Sequence, residues 1–144
     1  MRNSRKKLKY EKALVSFIDI LGFKELVENS RPEKVKIALD LVRKFAESGD
    51  KKEDADLITI CESLSFSDCI VRVRRVGREP NKSSPDSPVF WELFDLLIAQ
   101  AELANKNILL RGGIAYGDIY LNENQIFGPA LNEAYEFESK YAVY

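Results

Sequence analysis

The segment VSFIDILGF, residues 15–23, constrains the fold more than any other part of the sequence. Its apolar residues are typical of a buried strand over residues 13–20, and Leu21-Gly22 ends that strand in a turn. Asp19 interrupts the apolar run. Because burying an unpaired carboxylate is costly, Asp19 either faces water at the strand end or has a compensating partner.

Composition places the chain among single-domain globular proteins. Its 144 residues suffice for one core, and 45% of them are hydrophobic. The 22 basic and 23 acidic residues give a net charge of −1, which argues against a general nucleic-acid or membrane-surface binder. Basic residues do crowd the start, so we expect a solvated arm over residues 1–12 and one domain over residues 13–144.

The sequence also limits location and chemistry. No cleavage site follows the first apolar run, and no stretch approaches the roughly 18 apolar residues that cross a bilayer, so no membrane association is expected. We expect a cytoplasmic protein in which Cys61 and Cys69 are reduced. The chain contains no histidine, which excludes imidazole bases, Ser-His triads and His-ligated zinc.

The order of predicted elements, βααββαβ(β)αβ, indicates an α+β fold. The strands cover 13–20, 57–62, 64–74 and 108–120, a short strand follows LNENQ, another opens at 141, and the helices start at 23, 32, 88 and 129. Surface loops are expected at 48–56 and 77–87. This order predicts a ferredoxin-like sandwich, with a mainly antiparallel sheet and helices on one face, and with its C-terminal strands missing.

A second acid, Asp68, repeats the surroundings of the first. In FSDCIV, residues 66–71, it is predicted to lie within a strand flanked by apolar residues. If the two strands are neighbours, Asp19 and Asp68 converge, and such close like charges repel unless a cation lies between them. Without histidine, the natural ion is Mg²⁺ or Mn²⁺, which takes oxygen ligands.

The turn after the first strand suits an anion. Leu21-Gly22-Phe23 leads into a predicted helix, where free backbone N–H groups and the helix dipole favour a phosphate. Two carboxylates, a divalent ion and an adjacent phosphate-binding turn together predict a nucleoside triphosphate site of the phosphoryl-transfer type.

Four motifs resemble the catalytic domains of class III nucleotidyl cyclases, in order along nearly the whole chain. FIDILGF and FSDCIV resemble the two metal-aspartate motifs, RGGIAYGDI (111–119) resembles the Arg-x-Gly-Ile-x-x-Gly strand, and IFGPALNEAYEFES (126–139) resembles the helix of the transition-state residues. The segments DILGFKEL and FGPALNEAYEFES resemble sequences of the bacterial pyrimidine cyclases of the Pycsar antiphage systems. Those enzymes make cyclic UMP or cyclic CMP as an alarm signal to an effector.

The resemblance implies a mechanism that needs no histidine. Two Mg²⁺ or Mn²⁺ ions would be held by Asp19, Asp68 and the backbone carbonyl of Ile20. A head-to-tail homodimer would complete each active site with Asn132 of the partner subunit. The ribose 3′-hydroxyl would attack the α-phosphorus in line and pyrophosphate would leave, with the ions lowering the pKa of the hydroxyl and neutralising the phosphates.

One departure concerns the transition state. Four residues after Asn132, adenylyl and guanylyl cyclases place an arginine that stabilises the developing charge, and this chain has Glu136 there. A carboxylate cannot perform that task. Arg72 and Arg74, which are expected on a solvated strand face, are the nearest candidates to replace the arginine.

Other departures concern the substrate. Leu64 (or Ser65) and Gln125 align with the Lys and Asp that select adenine in adenylyl cyclases. Neither residue type is retained, which disfavours ATP. Gln125 can donate to and accept from a pyrimidine edge, but it does not identify the base. UTP or CTP is the substrate that the resemblance to the pyrimidine cyclases implies. The family's triphosphate-binding lysine would lie beyond Tyr144.

Two other functions stay open at this point. Glu136 is also compatible with a cyclase-like nucleotide-binding or dimerisation module that does not turn over substrate. A ferredoxin-like nucleic-acid binder is the weaker alternative, because the predicted strands lack the aromatic RNP pattern and the basic cluster is confined to residues 1–12.

Overall fold

A computed structural model describes residues 7–47, 61–75 and 88–143. Five strands and four helices lie within these ranges. In chain order they are β1 (Glu11–Ile20), α1 (Phe23–Asn29), α2 (Pro32–Glu47), β2 (Cys61–Phe66), β3 (Cys69–Arg75), α3 (Pro88–Ala104), β4 (Leu110–Leu121), β5 (Ile126–Phe127) and α4 (Pro129–Tyr141). The predicted loops at 48–56 and 77–87, and positions 57–60 of a predicted strand, lie outside the described residues.

One five-stranded sheet carries the domain, with strand order β2-β3-β1-β4-β5 and antiparallel pairing throughout. β1 is its central strand, with β3 on one side and β4 on the other. A strand with two neighbours and both faces covered is expected to be apolar over most of its length, as VSFIDI is. β1 begins at Glu11, inside the range predicted as a basic arm.

The helices cover both faces of the sheet. Side chains alternate along β1, so Ile18 packs with α2 and α3 whereas Val15 packs with α4. The α+β class and the antiparallel sheet are confirmed, but α4 does not share the face on which all helices were expected. α4 approaches β4 at a glycine, since a Cβ at Gly113 would lie 2.1 Å from the carbonyl oxygen of Ala134.

A buried charge network attaches α3 to the sheet. Arg72 Nε donates to Glu92 Oε1 at 2.9 Å, and Arg74 Nε donates to Glu92 Oε2 at 2.6 Å. Asp95 accepts from both guanidinium groups. The prediction that Arg72 and Arg74 lie on a solvated strand face is therefore wrong, because acids of α3 cover both side chains. Their charges are also committed to the core, on the face opposite α4.

The last helix ends where a strand was expected to begin. Tyr141 is the last residue of α4, and the N–H of Ala142 caps the helix by donating to the Phe137 carbonyl at 3.2 Å. The strand predicted from residue 141 is therefore wrong over the described residues. Across residues 7–47, 61–75 and 88–143, no helix combines the length and the apolar character needed to cross a bilayer.

Candidate functional site

Asp19 lies near the end of β1, on the face that α4 covers. Its side chain is 13% exposed. After Ile20, the N–H of Leu21 donates to the Leu109 carbonyl at 2.8 Å, and Gly22 has a left-handed φ of 71°. The predicted turn at Leu21-Gly22 thus begins two residues after Asp19, as the sequence indicates.

The compensating partner of Asp19 is Arg111, the residue opposite it on β4. Arg111 Nε donates to Asp19 Oδ1 at 2.9 Å, and Nη2 donates to Oδ2 at 3.2 Å. Two parallel charge-assisted bonds of this kind are strong and directional. A guanidinium, which is always protonated, therefore compensates the carboxylate that the sequence singled out.

Glu138 of α4 is a third member of this cluster, and the sequence analysis missed it. Its Oε1 lies 2.7 Å from Arg111 Nε, yet among the described residues no donor reaches that buried oxygen with hydrogen-bond geometry. Burial raises the pKa of Glu138, and the charge of Asp19 and a hydrogen bond with it raise that pKa further, while Arg111 opposes them. We refer to Asp19, Arg111 and Glu138 as the charge cluster.

The sequence does contain a signal for Glu138. Ala130, Ala134 and Glu138 recur at i, i+4 and i+8 and all three are buried. Residues at this spacing lie on one helix face, so the acid shares the face that packs on the sheet. A carboxylate on a buried stripe predicts an ionic partner.

Asp68 lies in a turn and not within a strand. Ser67 and Asp68 form the two-residue turn between β2 and β3, and Ser67 has a φ of 53°. The strand position predicted for Asp68 is therefore wrong. The error has a simple origin, since such hairpin turns usually contain Gly, Asn or Asp-Gly, and FSDC has apolar residues on both sides.

The register of β1 against β3 places Asp68 near the charge cluster, because Ile18 pairs with Ile70 and the turn that carries Asp68 precedes Cys69. Burial raises the pKa of Cys69 to about 11, and the charges of Asp68, Asp19 and Glu138 raise it as well, whereas Arg111 lowers it. Four charged groups from β1, β4, α4 and the hairpin turn thus act on one side chain. Asp19 and Asp68 therefore lie at the same end of the sheet, and their joint binding of an ion stays a prediction.

The donor atoms in this region suit a hard divalent ion. Carboxylate oxygens of Asp19 and Asp68 and a main-chain carbonyl are the ligand types that Mg²⁺ and Mn²⁺ take. Within the part of the chain that the structure describes, no group of three or more Asp, Glu or Cys residues is placed to hold a metal. Both oxygens of Asp19 accept bonds from Arg111, so an ion at Asp19 requires the guanidinium to move.

Gln125 lies far from the charge cluster within one chain. It is exposed in the turn between β4 and β5, where its N–H donates to Asn122 Oδ1 at 2.8 Å. Arg111 lies at the other end of β4, about 33 Å along the strand from Leu121. A site that contained both Asp19 and Gln125 would need a second subunit.

The remaining predicted residues occupy three different places. Leu64 is half-buried on β2 opposite Val71. Phe23 starts α1 and packs on the α2 and α3 side of the core. Asn132 is exposed on α4, about 9 Å along the helix axis before Glu138. The structure thus brings Asp19, Asp68 and the turn at residues 21–23 to one end of the sheet, and it leaves Asn132 and Gln125 elsewhere.

Comparison with known proteins yields structural matches only. Neither a family model nor a curated protein matches the chain. Two structures of a bacterial light-regulated adenylyl cyclase each match 96% of the chain, with TM-scores of 0.64 and 0.60 and identities of 13% and 14%. The chain has an adenylyl cyclase-like fold. It spans 42% of the length of each of those proteins. The match confirms the cyclase-like α+β fold expected from the sequence.

Proposed function

We propose that this chain is the catalytic domain of a metal-dependent nucleotidyl cyclase, which converts a nucleoside triphosphate to a 3′,5′-cyclic nucleotide and pyrophosphate. The observation that carries the proposal is the pairing of Ile18 with Ile70, which places the end of β1 that carries Asp19 beside the hairpin turn that carries Asp68. These acids come from separate segments of a fold that is shared with adenylyl cyclases. Convergence of two carboxylates is what a site for Mg²⁺ or Mn²⁺ requires.

Each residue of this region then has a role. Asp19, Asp68 and the carbonyl of Ile20 would hold two divalent ions, which would neutralise the triphosphate and lower the pKa of the 3′-hydroxyl. The turn Leu21-Gly22-Phe23 directly follows these ligands, and its backbone N–H groups would face the phosphates. No imidazole is needed for either task.

A second copy of the chain would complete the site. Asn132 and Gln125 lie away from Asp19 within one subunit, so a head-to-tail homodimer would supply them from its other member. Exposed aromatic side chains on the α4 side of the sheet support this assembly, because Phe66, Tyr135 and Tyr141 are 79%, 52% and 76% exposed. Tyrosine and phenylalanine are common in interface cores.

The proposed substrate is UTP or CTP. Leu64 offers no hydrogen-bonding group where adenylyl cyclases have lysine, and Gln125 offers both a donor and an acceptor. The cyclic pyrimidine nucleotide would act as an antiphage signal in the cytoplasm, where nucleoside triphosphates are made. Glu136 pairs with Lys140 at 3.2 Å on the exposed side of α4, and its carboxylate does not replace the transition-state arginine.

A cyclisation assay tests this function. The protein is incubated with ATP, GTP, CTP and UTP in the presence of Mn²⁺, and products are separated by liquid chromatography and mass spectrometry. We expect a cyclic pyrimidine product that is lost in Asp19→Asn and in Asp68→Asn. Asp118→Asn is the matched control, because Asp118 is an acid of β4 that pairs with Lys12 at the surface. Equal activity in Asp19→Asn and Asp118→Asn would contradict the proposal.

A module without turnover is the second candidate. The bidentate bond from Arg111 to Asp19 favours it, because this bond already compensates the carboxylate without an ion. Calorimetry distinguishes the two functions. A module would bind nucleotide with the same affinity in Mg²⁺ and in EDTA and would release no cyclic product, whereas the cyclase requires the ion.

A further inference from the structure

The guanidinium of Arg111 lies between two carboxylates. Its Nε is 2.9 Å from Asp19 Oδ1 and 2.7 Å from Glu138 Oε1. The bonds to Asp19 have hydrogen-bond geometry, whereas the contact with Glu138 does not. Arg111 therefore bonds one acid while it touches another.

One oxygen of Glu138, Oε1, receives no hydrogen bond within the described residues. Its side chain is 4% exposed, so water does not replace a missing donor. A buried acceptor without a hydrogen bond is costly, and a charged one is more so. A small rotation of the Arg111 side chain toward α4 would supply the donor, at the expense of a bond to Asp19.

The surroundings leave room for that rotation. The Arg111 side chain is 34% exposed, so solvent borders part of it. Arg111 can therefore change partner while the β1–β4 pairing stays intact.

We infer that Arg111 is a positioning residue that transfers its hydrogen bonds from Asp19 to Glu138 when a divalent ion binds Asp19 and Asp68. This inference rests on the proposed cyclase function and goes beyond it. A guanidinium and a divalent ion cannot both bind the same two oxygens, and their charges repel. Glu138 is a second anionic acceptor beside Arg111, with its Oε1 2.7 Å from Nε.

The transfer would also connect the ion to α4. Glu138 belongs to the helix that carries Asn132, and this helix packs on β4 at Gly113. When Arg111 bonds Glu138 fully, it ties β4 to α4 next to the ion site. Ion binding would thereby rigidify the helix that is proposed to reach the partner subunit.

Metal affinity and a spectroscopic signal test the inference without any turnover. Binding of Mn²⁺ alone is measured from the electron paramagnetic resonance of the free ion. We expect Glu138→Gln to weaken Mn²⁺ binding about 10-fold, because loss of an outer partner of a metal site has effects of this size. Glu136→Gln is the matched control, since it removes an exposed carboxylate from the same helix and should change the affinity less than about 3-fold.

A double-mutant cycle then isolates the role of Arg111. Without Arg111 there is nothing to transfer, so Glu138→Gln should have no more effect than the control in an Arg111→Met background. In ¹⁵N-labelled protein, the Nε–H resonance of Arg111, assigned by its loss in Arg111→Lys, should shift as Mg²⁺ saturates the site. Thermal melts of each variant establish that it is folded.

The outcomes separate the two proposals. Mn²⁺ binding with equal effects of Glu138→Gln and Glu136→Gln, or with an unmoved Arg111 resonance, would overturn the transfer and leave the cyclase function standing. Absence of Mn²⁺ and Mg²⁺ binding to the folded wild-type protein would overturn both.

Discussion

Arg72 and Glu92 form an ion pair from which water is excluded, with side-chain exposures of 0% and 1% and a distance of 2.9 Å between Nε and Oε1. Arg74 bonds the second oxygen of the same carboxylate. Removing one member of a buried pair leaves the other charge uncompensated and typically costs about 3–5 kcal/mol. This relationship attaches α3 to β3, and Glu92 is the more deeply buried of the two acids, Glu92 and Asp95, that pair with both guanidinium groups.

Glu92→Gln should lower the free energy of unfolding by about 3 kcal/mol, because two guanidinium groups then lose their shared carboxylate. Urea unfolding followed by circular dichroism measures the change. Glu136→Gln, on an exposed turn of α4, should stay within about 0.5 kcal/mol of wild type. Equal stabilities of the two variants would show that the network contributes little.

The same network predicts a pH dependence. Burial alone would raise the pKa of Glu92, but the charges and hydrogen bonds of Arg72 and Arg74 outweigh it and lower that pKa. A lowered pKa stabilises the fold above the ordinary glutamate value of about 4.3, and the contribution is lost as pH falls through the folded-state pKa. Urea unfolding between pH 7 and 3 should show this loss, and the loss should be smaller in Glu92→Gln.

Gly113→Ala should displace α4. A Cβ at Gly113 would lie 2.1 Å from the Ala134 oxygen and 2.6 Å from Phe137 Cβ, so the helix has to move. We expect a loss of about 2–3 kcal/mol in unfolding free energy. Gly117→Ala is the matched control in the same strand, because its Cβ would meet Ala130 Cβ at an ordinary 3.4 Å. Similar melting temperatures for both variants would contradict the close contact.

Cys69 should react slowly with iodoacetamide. With a pKa of about 11 the thiol is largely protonated at pH 8, with roughly 100-fold fewer thiolates than a cysteine of pKa 9. Asp19→Asn should accelerate alkylation, because it removes a charge that raises this pKa. Peptide mass spectrometry distinguishes Cys69 from the fully buried Cys61. An unchanged rate would place Asp19 away from the thiol.

Self-association should depend on the aromatic side chains of the α4 side. Tyr141→Ser removes a ring that is 76% exposed, so it should weaken the dimer at least 10-fold with little loss of stability. Tyr116→Ser is the control, since Tyr116 pairs with Leu14 and therefore points to the other face of the sheet. Sedimentation velocity at several concentrations gives both dissociation constants. A wild-type protein that stays monomeric would contradict the proposed assembly.

The sequence predicts the strand of Asp19, the turn after it and the helices with good accuracy, because each depends on local periodicity and on Gly and Pro positions. It also predicts correctly that Asp19 needs a compensating partner if it is not at the surface. The identity of that partner is not a local property. Arg111 is 92 residues away, and only the register of β1 against β4 brings the two together.

The errors have the same origin. Asp68 was assigned to a strand because nothing in FSDC is a typical turn signal, yet Ser67 adopts a positive φ. Arg72 and Arg74 alternate with valines as solvent-facing residues would. The acids of α3 that bury Arg72 lie 20 and 23 residues further along the chain. α4 was expected with the other helices because a pattern of periodicity identifies a helix and not the face of the sheet that it covers.

The register of β1 against β4 also has a consequence during synthesis. Asp19 leaves the ribosome 92 residues before Arg111, an interval of roughly 5–20 s at ordinary translation rates. During that interval the central strand lacks β4, one of its two neighbours, and also lacks its counter-charge. A nascent chain stalled ahead of β4 would expose an apolar strand edge, which is the kind of surface that chaperones bind.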